Sequence, residues 1–184
     1  MTLTYDLYWS FRSPYSYMIT PRLMALEAEF DVQGVIRPVY PLAVRTPEFF
    51  ETRDPLWFSY FLADIHREAA FLGLPFAWPR PDPVYMDMAT RTYPKEQPHI
   101  HRLTQMGVAA AERAGLDPAE LAAAVDAEAD RLDAVVEANQ VAQRQAGHYG
   151  VPMIAFNSEP FFGQDRFDQF KWRLEQQGLT RRTD

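Results

Sequence analysis

Two serines lie three residues apart where an aromatic-rich segment changes into the start of a helix. Ser13 directly precedes Pro14, and Ser16 follows in the first turn. Serine before proline is typical of a helix N-cap, because the hydroxyl accepts a hydrogen bond from a first-turn N–H and proline lacks an N–H that would stay unpaired there. On composition alone, capping is a commoner role for such a hydroxyl than catalysis.

The chain of 184 residues contains no cysteine. This composition excludes structural disulfides, thiolate metal sites and any dithiol redox cycle that uses the protein's own side chains. Thiol chemistry near Ser13 would therefore need a thiol from a bound molecule.

The remaining composition is that of an ordinary soluble protein. The net charge is −7, 47% of residues are hydrophobic, and no run of lysine or arginine would follow a phosphate backbone, so we expect no nucleic-acid partner. No segment reaches the roughly 20 apolar residues of a membrane helix, and the first residues lack signal-peptide features, so we expect a cytoplasmic protein without a membrane partner. The histidines have no carboxylate cluster at ligand spacing, so we expect no metal. They are His66, His99, His101 and His148.

The first 45 residues have the pattern of a β-α-β unit. Residues 4–11 predict a buried strand, a helix begins at Pro14 and should kink at Pro21, and residues 35–42 predict a second strand. Prolines in the second strand indicate a sheet edge or a strand end. The apolar face of the helix comprises Met18, Leu23, Leu26 and Phe30.

The middle of the chain is helical and the end returns to strands. Helices are predicted over 55–72, 100–114 and 118–146, with an irregular loop over 73–83. The third helix carries its apolar residues at intervals of four, seven and four, at Leu121, Val125, Leu132 and Val136.

Near the C-terminus, residues 151–156 and 160–162 predict two strands joined by a turn at 157–159. Gly163 then begins a last helix, whose apolar residues are Phe167, Phe170, Trp172 and Leu174. A β-α-β unit followed by a β-β-α unit defines a thioredoxin-like α/β fold, here with an α-helical insertion between the halves. We expect one folding unit, made of residues 1–45, a helical insert and return helix over 46–147, and residues 148–184.

Three sequence features match the thioredoxin superfamily in the correct order. The segment from Ser13 to Ser16 lies where its disulfide enzymes carry C-x-x-C, Pro21 follows Ser13 at the offset of their helix-kinking proline, and Gly150-Val151-Pro152 resembles their cis-proline loop. More closely, residues 6–17, 150–152 and 160–166 resemble 2-hydroxychromene-2-carboxylate isomerases and kappa-class glutathione transferases, which are DsbA-like. Residues 64–67 and 73–76 resemble the insert of that family, which is shortened here between Gly107 and Gly115.

The resemblance implies a glutathione site. Ser13 would be the catalytic residue, donating to the thiolate at a helix N-terminus that also favours negative charge. The backbone of Val151, beside Pro152, would hold the cysteinyl part of glutathione, and Gln164 and Asp165 would contact its γ-glutamyl end. Without the resemblance, Asp165 is a helix-start charge, and Arg166 is a partner for an acid such as Asp64.

The resemblance also implies a reaction. We expect a glutathione-dependent cis-trans isomerase of 2-hydroxychromene-2-carboxylate type, acting on a small aromatic catabolite through a thiolate adduct, in a possible homodimer. Phe11, Tyr15 and Trp57 would line the substrate pocket. The alternatives are a kappa-like glutathione S-transferase and a non-catalytic glutathione-binding module; a dithiol oxidoreductase is excluded. Arginines that could bind an anion near the cleft are Arg12, Arg45 and Arg53.

Overall fold

A computed structural model describes residues 2–46, 48–77 and 111–183. The N-terminal half consists of strand β1 (Leu3–Trp9), helix α1 (Pro14–Glu29) and strand β2 (Val32–Pro38). β1 and β2 are parallel, which confirms the predicted β-α-β unit. The first strand is shorter than predicted: β1 ends at Trp9, and the chain turns at Phe11, whose side chain is 74% exposed.

The C-terminal half is the predicted β-β-α unit. Strands β3 (Met153–Phe156) and β4 (Glu159–Phe162) form a hairpin, whose turn residues Asn157 and Ser158 both have positive φ. That backbone geometry suits the right-handed twist of a two-residue hairpin. A 3-10 turn (Gln164–Arg166) then leads into the last helix, Phe167–Gln176.

The four strands form one sheet in the order β2-β1-β3-β4. β3 is antiparallel to both β1 and β4. β2 lies at an edge of the sheet, which is one of the two positions that its prolines indicated. The strand order and helix placement confirm the thioredoxin-like fold. β1 is thereby central in the sheet, and the residues that follow it emerge beside the start of β3.

The main core lies between the sheet, α1 and the last helix. Ile19, Leu23 and Leu26 of α1 pack in it, as do Phe167, Phe170 and Leu174 of the last helix. One predicted apolar position is wrong, since Trp172 is 52% exposed. Phe30 is the residue that follows the end of α1, and it packs against the core although it is only partly buried. The helix turns Trp172 away because its buried positions are three and four residues apart.

Between the halves lie α2 (Leu42–Arg45), α3 (Glu48–Glu51), α4 (Pro55–Phe71), α5 (Pro118–Ala127) and α6 (Ala129–Gln145). The prediction of one helix over 118–146 is wrong, because the helix is interrupted at Glu128, whose backbone leaves helical geometry. Residues 111–113 are helical, residue 114 lies in a turn and 73–77 are irregular. Residues 100–110 of the predicted helix and 78–83 of the predicted loop lie outside the described residues.

The chain divides into two compact units. The first comprises Met1–Pro75 and Val136–Asp184, and contains the sheet, α1 to α4, most of α6 and the last helix; the second comprises Phe76–Val135. Residues 46–75 and 136–147, which the sequence assigns to the insert, therefore belong with the sheet. Among the described residues, no helix is long and apolar enough to cross a membrane.

Candidate functional site

Ser13 caps α1 and also contacts the loop that precedes β3. Its Oγ accepts a hydrogen bond from the Ser16 N–H at 3.1 Å and donates to the Val151 carbonyl oxygen at 3.2 Å. The capping role predicted from Ser13-Pro14 is thus present. The second contact joins residues 138 positions apart in the chain, so it brings the two parts of the predicted site together.

Ser16, at the place of the second cysteine in the superfamily motif, is buried. Within the described part of the chain its Oγ has no hydrogen-bond partner, although its backbone carbonyl accepts from the Trp9 indole at 3.0 Å. Ser16 therefore faces the protein interior, and Ser13 is the serine of the pair that lies at the site.

The loop over 149–152 is held at each of its four carbonyl oxygens. Arg45 donates to Tyr149 O, Gln143 to Gly150 O, Ser13 to Val151 O and the Gly163 N–H to Pro152 O. The Val151–Pro152 peptide bond is cis, in agreement with the predicted cis-proline loop.

The backbone N–H of Val151 remains available as a donor in this loop. Over residues 2–46, 48–77 and 111–183, no acceptor is paired with the backbone N–H of Val151. Because Val151 is only partly buried and lies just before β3 begins its pairing with β1, a bound extended chain could take this donor.

His148 and Gly150 pack tightly against β4. The His148 ring stacks on Phe162 at 3.9 Å between centroids, and its Nδ1 accepts from the Gly150 N–H at 2.9 Å. This bond requires unprotonated Nδ1, and burial lowers the pKa of His148. A Cβ on Gly150 would lie 2.3 Å from Phe162 Cε2, so the close approach requires glycine.

Gln143 and Arg45 form a connected pair behind the loop. The Gln143 amide donates through Nε2 to Gly150 O at 2.7 Å and accepts through Oε1 from Arg45 Nη1 at 3.1 Å, while Arg45 Nη2 donates to Tyr149 O at 3.0 Å. Burial, together with the charge of Arg144, lowers the pKa of Arg45 to about 10. The sequence allows Arg45 to bind an anion near the cleft. In the structure Arg45 instead donates hydrogen bonds to Gln143 and to the loop.

Sequence reasoning missed Gln143 and its buried neighbour Asn139, although a signal was present. The apolar stripe of the predicted helix runs through Leu132 and Val136, and its continuation by three and seven residues falls on Asn139 and Gln143. Polar side chains at core-facing positions need buried partners. Here the partners are carbonyl oxygens: Asn139 donates to Pro38 O at 3.0 Å, and Gln143 to Gly150 O.

Gln164 and Asp165, the two residues predicted to contact the γ-glutamyl end, have different surroundings in the 3-10 turn after β4. Gln164 is 3% exposed, and its amide donates to Glu68 Oε2, while Arg22 donates to its backbone oxygen at 3.2 Å. Its side chain is therefore engaged within the protein. The Asp165 side chain is 57% exposed and pairs with Arg166 at 3.1 Å, so Arg166 is a partner of Asp165 and not of Asp64.

Tyr15 leads from the serine motif to α4. Its hydroxyl donates to Asp64 Oδ2 at 2.6 Å, and Arg67 also lies 3.5 Å from this carboxylate. Burial is the main cause, and this hydrogen bond the second, of a Tyr15 pKa well above its usual value, so the phenol stays protonated. Asp64 therefore has two roles: it forms an ion pair with Arg67, and it orients the Tyr15 hydroxyl.

Five aromatic rings form a continuous wall beside the serine motif and the cis-proline loop. Tyr15 contacts Phe61, which stacks on Trp57 at 5.2 Å and 8°; Trp57 contacts Phe49, and Phe49 contacts Tyr149. We call these rings, Tyr15, Phe61, Trp57, Phe49 and Tyr149, the aromatic wall.

Two other predicted site residues differ in their relation to the wall. Phe11 contacts Trp9 and is largely exposed, so the structure does not pair it with Tyr15 or Trp57. The Arg53 guanidinium lies 3.9 Å from the Phe49 centroid and 5.8 Å from that of Trp57.

Among the described residues, no three His, Asp or Glu side chains come together as a metal site; His99 and His101 lie outside that part of the chain.

The sheet order, the capped helix after β1 and the cis-proline loop facing it define a thioredoxin-like protein with serine in place of cysteine. A model of the DsbA-like thioredoxin domain matches residues 82–175, slightly more than half of the chain. The chain therefore belongs to the DsbA-like thioredoxin family, which confirms the family predicted from the sequence at that level.

Solved structures share the whole fold. A 2-hydroxychromene-2-carboxylate isomerase matches with a TM-score of 0.67 and 18% identity, over 95% of this chain and 96% of that one. A probable DsbA oxidoreductase from Streptomyces coelicolor matches with a TM-score of 0.60 and 18% identity, over 95% and 89%. At such identities the similarity concerns the fold. No curated protein matches the chain in sequence.

Proposed function

We propose that this protein is a glutathione-dependent isomerase of small aromatic compounds. The observation that carries the proposal is the juxtaposition of Ser13 Oγ with the Val151 carbonyl, 3.2 Å apart, beside an unpaired Val151 N–H. With no cysteine in the chain, a site of this architecture can use only a thiol that is brought by a ligand. Glutathione is an extended tripeptide with a central thiol, and its backbone suits these groups.

The fit to glutathione depends first on Val151. Its N–H and C=O can pair with the backbone of the cysteinyl residue as an added strand does. The Val151 oxygen now accepts from Ser13, so a ligand N–H would replace the serine hydroxyl as its donor. This exchange releases the Ser13 hydroxyl toward the ligand sulfur.

Ser13 would then stabilise the thiolate. Its hydroxyl can donate to the sulfur while Oγ continues to accept from the Ser16 N–H, so the N-cap is kept. The N-terminus of α1, which has 16 residues, adds a field that favours negative charge. Both effects lower the pKa of a bound thiol.

Asp165 would recognise the α-ammonium group of the γ-glutamyl end. Its carboxylate is exposed, and the first N–H groups of a helical segment lack internal acceptors, so the α-carboxylate can bind beside it. In this proposal the Gln164 side chain anchors the turn through Glu68 and Arg22 and does not contact the ligand.

The aromatic wall would bind the acceptor. Trp57 and Phe61 are stacked nearly parallel, and such flat apolar surfaces favour planar aromatic compounds. When bound, glutathione would supply a thiol that adds to a conjugated double bond and is released after rotation. Tyr15 belongs to both the serine motif and the wall, so it would position the acceptor near Ser13.

Titration calorimetry with glutathione tests the site. We expect saturable binding to the wild type and at least tenfold weaker binding to Asp165→Asn, because an ion pair to the ammonium group is lost. Asp168→Asn is the matched control: it removes an exposed carboxylate paired with Arg22 in the same segment. Absence of wild-type binding at millimolar glutathione would refute the proposal.

Turnover distinguishes the alternatives once binding is established. Isomerisation of 2-hydroxychromene-2-carboxylate with no loss of free thiol supports the isomerase. Consumption of thiol with an aryl halide, without isomerisation, identifies a kappa-like transferase, and binding without either reaction identifies a non-catalytic module. The cytoplasmic location and the homodimer stay predictions.

A further inference from the structure

We propose that Gln143 and Arg45 are positioning residues that set the direction and donor strength of the Val151 N–H. This inference rests on the proposed function, since that N–H is the donor offered to glutathione. Neither side chain is assigned a contact with the ligand. Together with the Gly150–Val151 peptide, Gln143 and Arg45 are called the relay.

The first step of the argument is the geometry of a single peptide unit. The Gly150 carbonyl and the Val151 N–H belong to the same planar peptide, and in a trans peptide these two bonds point in opposite directions. The cis bond is the next one, Val151–Pro152. Because Gln143 holds Gly150 O at 2.7 Å, the Val151 N–H is directed away from α6 and cannot rotate independently.

The second step is the orientation of the Gln143 amide. Gly150 O can only accept and the Arg45 guanidinium can only donate, so the NH2 end must face Gly150 and the oxygen must face Arg45. Gln143 is fully buried at 0% exposure, so water does not compete for either bond. The amide is thus fixed from both ends.

The third step concerns charge. The hydrogen bonds run in one direction, from the Arg45 guanidinium to Gln143 Oε1 and from Gln143 Nε2 to Gly150 O, and they end at the Val151 N–H. Hydrogen bonds in such a chain polarise one another, and a cation at the origin strengthens each donor that follows. Within the described residues Arg45 has no carboxylate within salt-bridge distance, so its charge is not neutralised at the start of the relay.

The neighbouring peptide is held in the same manner. Arg45 donates to Tyr149 O, and the Gly150 N–H of that same peptide donates to His148 Nδ1. Two consecutive peptide planes are therefore fixed by side chains of α2, of α6 and of the loop itself before any ligand is present. Such preorganisation lowers the entropy that a ligand must lose on binding.

The experiment compares Gln143→Met and Arg45→Met with Arg144→Met, which removes a charge next to Arg45 but no bond to the loop. We expect glutathione to bind the first two variants about tenfold more weakly, with Arg144→Met like the wild type. A ¹⁵N-labelled sample provides a second measurement: the Val151 amide resonance should shift in the first two variants only. Gln143→Glu keeps the bond from Arg45 but cannot donate to Gly150 O, so it should weaken binding as Gln143→Met does.

The outcomes are distinct. Unchanged affinity and an unchanged Val151 resonance in Gln143→Met would overturn the relay, and so would equal weakening in all three methionine variants. If the wild type binds no glutathione, the proposed function fails, and the relay is judged by the Val151 resonance alone. A shift in Gln143→Met then supports the relay and no shift overturns it.

Discussion

The Ser13 hydroxyl has two partners in the ligand-free protein, and the two contacts have different consequences for binding. Its acceptor role toward the Ser16 N–H is local and belongs to the helix cap. Its donor role toward Val151 O occupies an atom that an extended ligand would need. Ser13 is therefore both a competitor for the cis-proline loop and a donor for a thiolate.

We expect Ser13→Ala to separate these roles. Glutathione should bind about ten- to a hundredfold more weakly, because a hydrogen bond to a charged sulfur is lost. S-methylglutathione, which forms no thiolate, should bind with equal or higher affinity because Val151 O is free. Calorimetry with both ligands measures the difference, and Ser13→Thr, which keeps a hydroxyl, should behave like the wild type. Equal weakening for both ligands would contradict the assignment.

His148 makes the loop sensitive to acid. Burial lowers its pKa below the unfolded value of about 6.5, so the folded state binds fewer protons than the unfolded state once the pH falls below that value. The free energy of unfolding should therefore decrease as the pH falls from about 6.5, and this loss should stop below the folded pKa.

Urea unfolding at a series of pH values tests this prediction. His148→Asn keeps an oxygen that can accept from the Gly150 N–H but does not titrate, so its stability should fall less over the same range. The same slope in the wild type and His148→Asn would show that another group is responsible.

At the scale of elements, the loop before β3 is placed by close packing as well as by hydrogen bonds. Gly150 lies against Phe162 of β4, where a Cβ would approach Cε2 to 2.3 Å. Phe162 also stacks on His148, so the hairpin and the cis-proline loop share one aromatic contact. A side chain at position 150 must displace that ring or the loop.

Gly150→Ala should therefore destabilise the protein by about 1–3 kcal/mol, the usual range for overpacking. Thermal unfolding provides the measurement. The double variant Gly150→Ala/Phe162→Leu should recover part of the loss, because the clashing ring atoms are removed and residue 162 is 45% exposed. If the double variant is less stable than either single variant, the steric explanation is wrong.

At the scale of the whole molecule, one aromatic side chain joins elements from both halves of the chain. Phe170 is fully buried and contacts Tyr5 of β1, Phe156 of β3 and Phe161 of β4. The last helix is therefore attached to the sheet through a residue that lies distant in sequence from β1. Such contacts decide whether the two halves fold as a single unit.

Phe170→Ala should reduce the free energy of unfolding by about 3–5 kcal/mol, because a large buried ring leaves a cavity. Trp172→Ala, two residues along the same helix and 52% exposed, should change it by less than about 1 kcal/mol. Urea denaturation followed by far-UV circular dichroism compares them. Comparable losses would indicate that the last helix is docked through its other face.

The sequence by itself determined the elements whose signals are local. Ser13-Pro14 marked the start of α1, residues 157–159 marked the hairpin turn, and prolines indicated that β2 lies at a sheet edge or ends there. The order of those elements was sufficient for the thioredoxin-like fold, and the absence of cysteine excluded a dithiol mechanism. These signals are readable because capping, turn geometry and ladder hydrogen bonds depend on neighbouring residues.

Only the tertiary structure decided which partners the polar side chains of the site have. Gln164 was expected at the ligand but is buried against Glu68, Arg45 was one of three candidate anion binders but holds the loop, and Gln143 was not singled out. Buried donors and acceptors must be paired, and the partners here lie up to 142 residues apart in the chain, as Arg22 and Gln164 do. Sequence periodicity indicates which side chains face inward, but the carbonyl oxygens that they meet are set by the packing of distant elements.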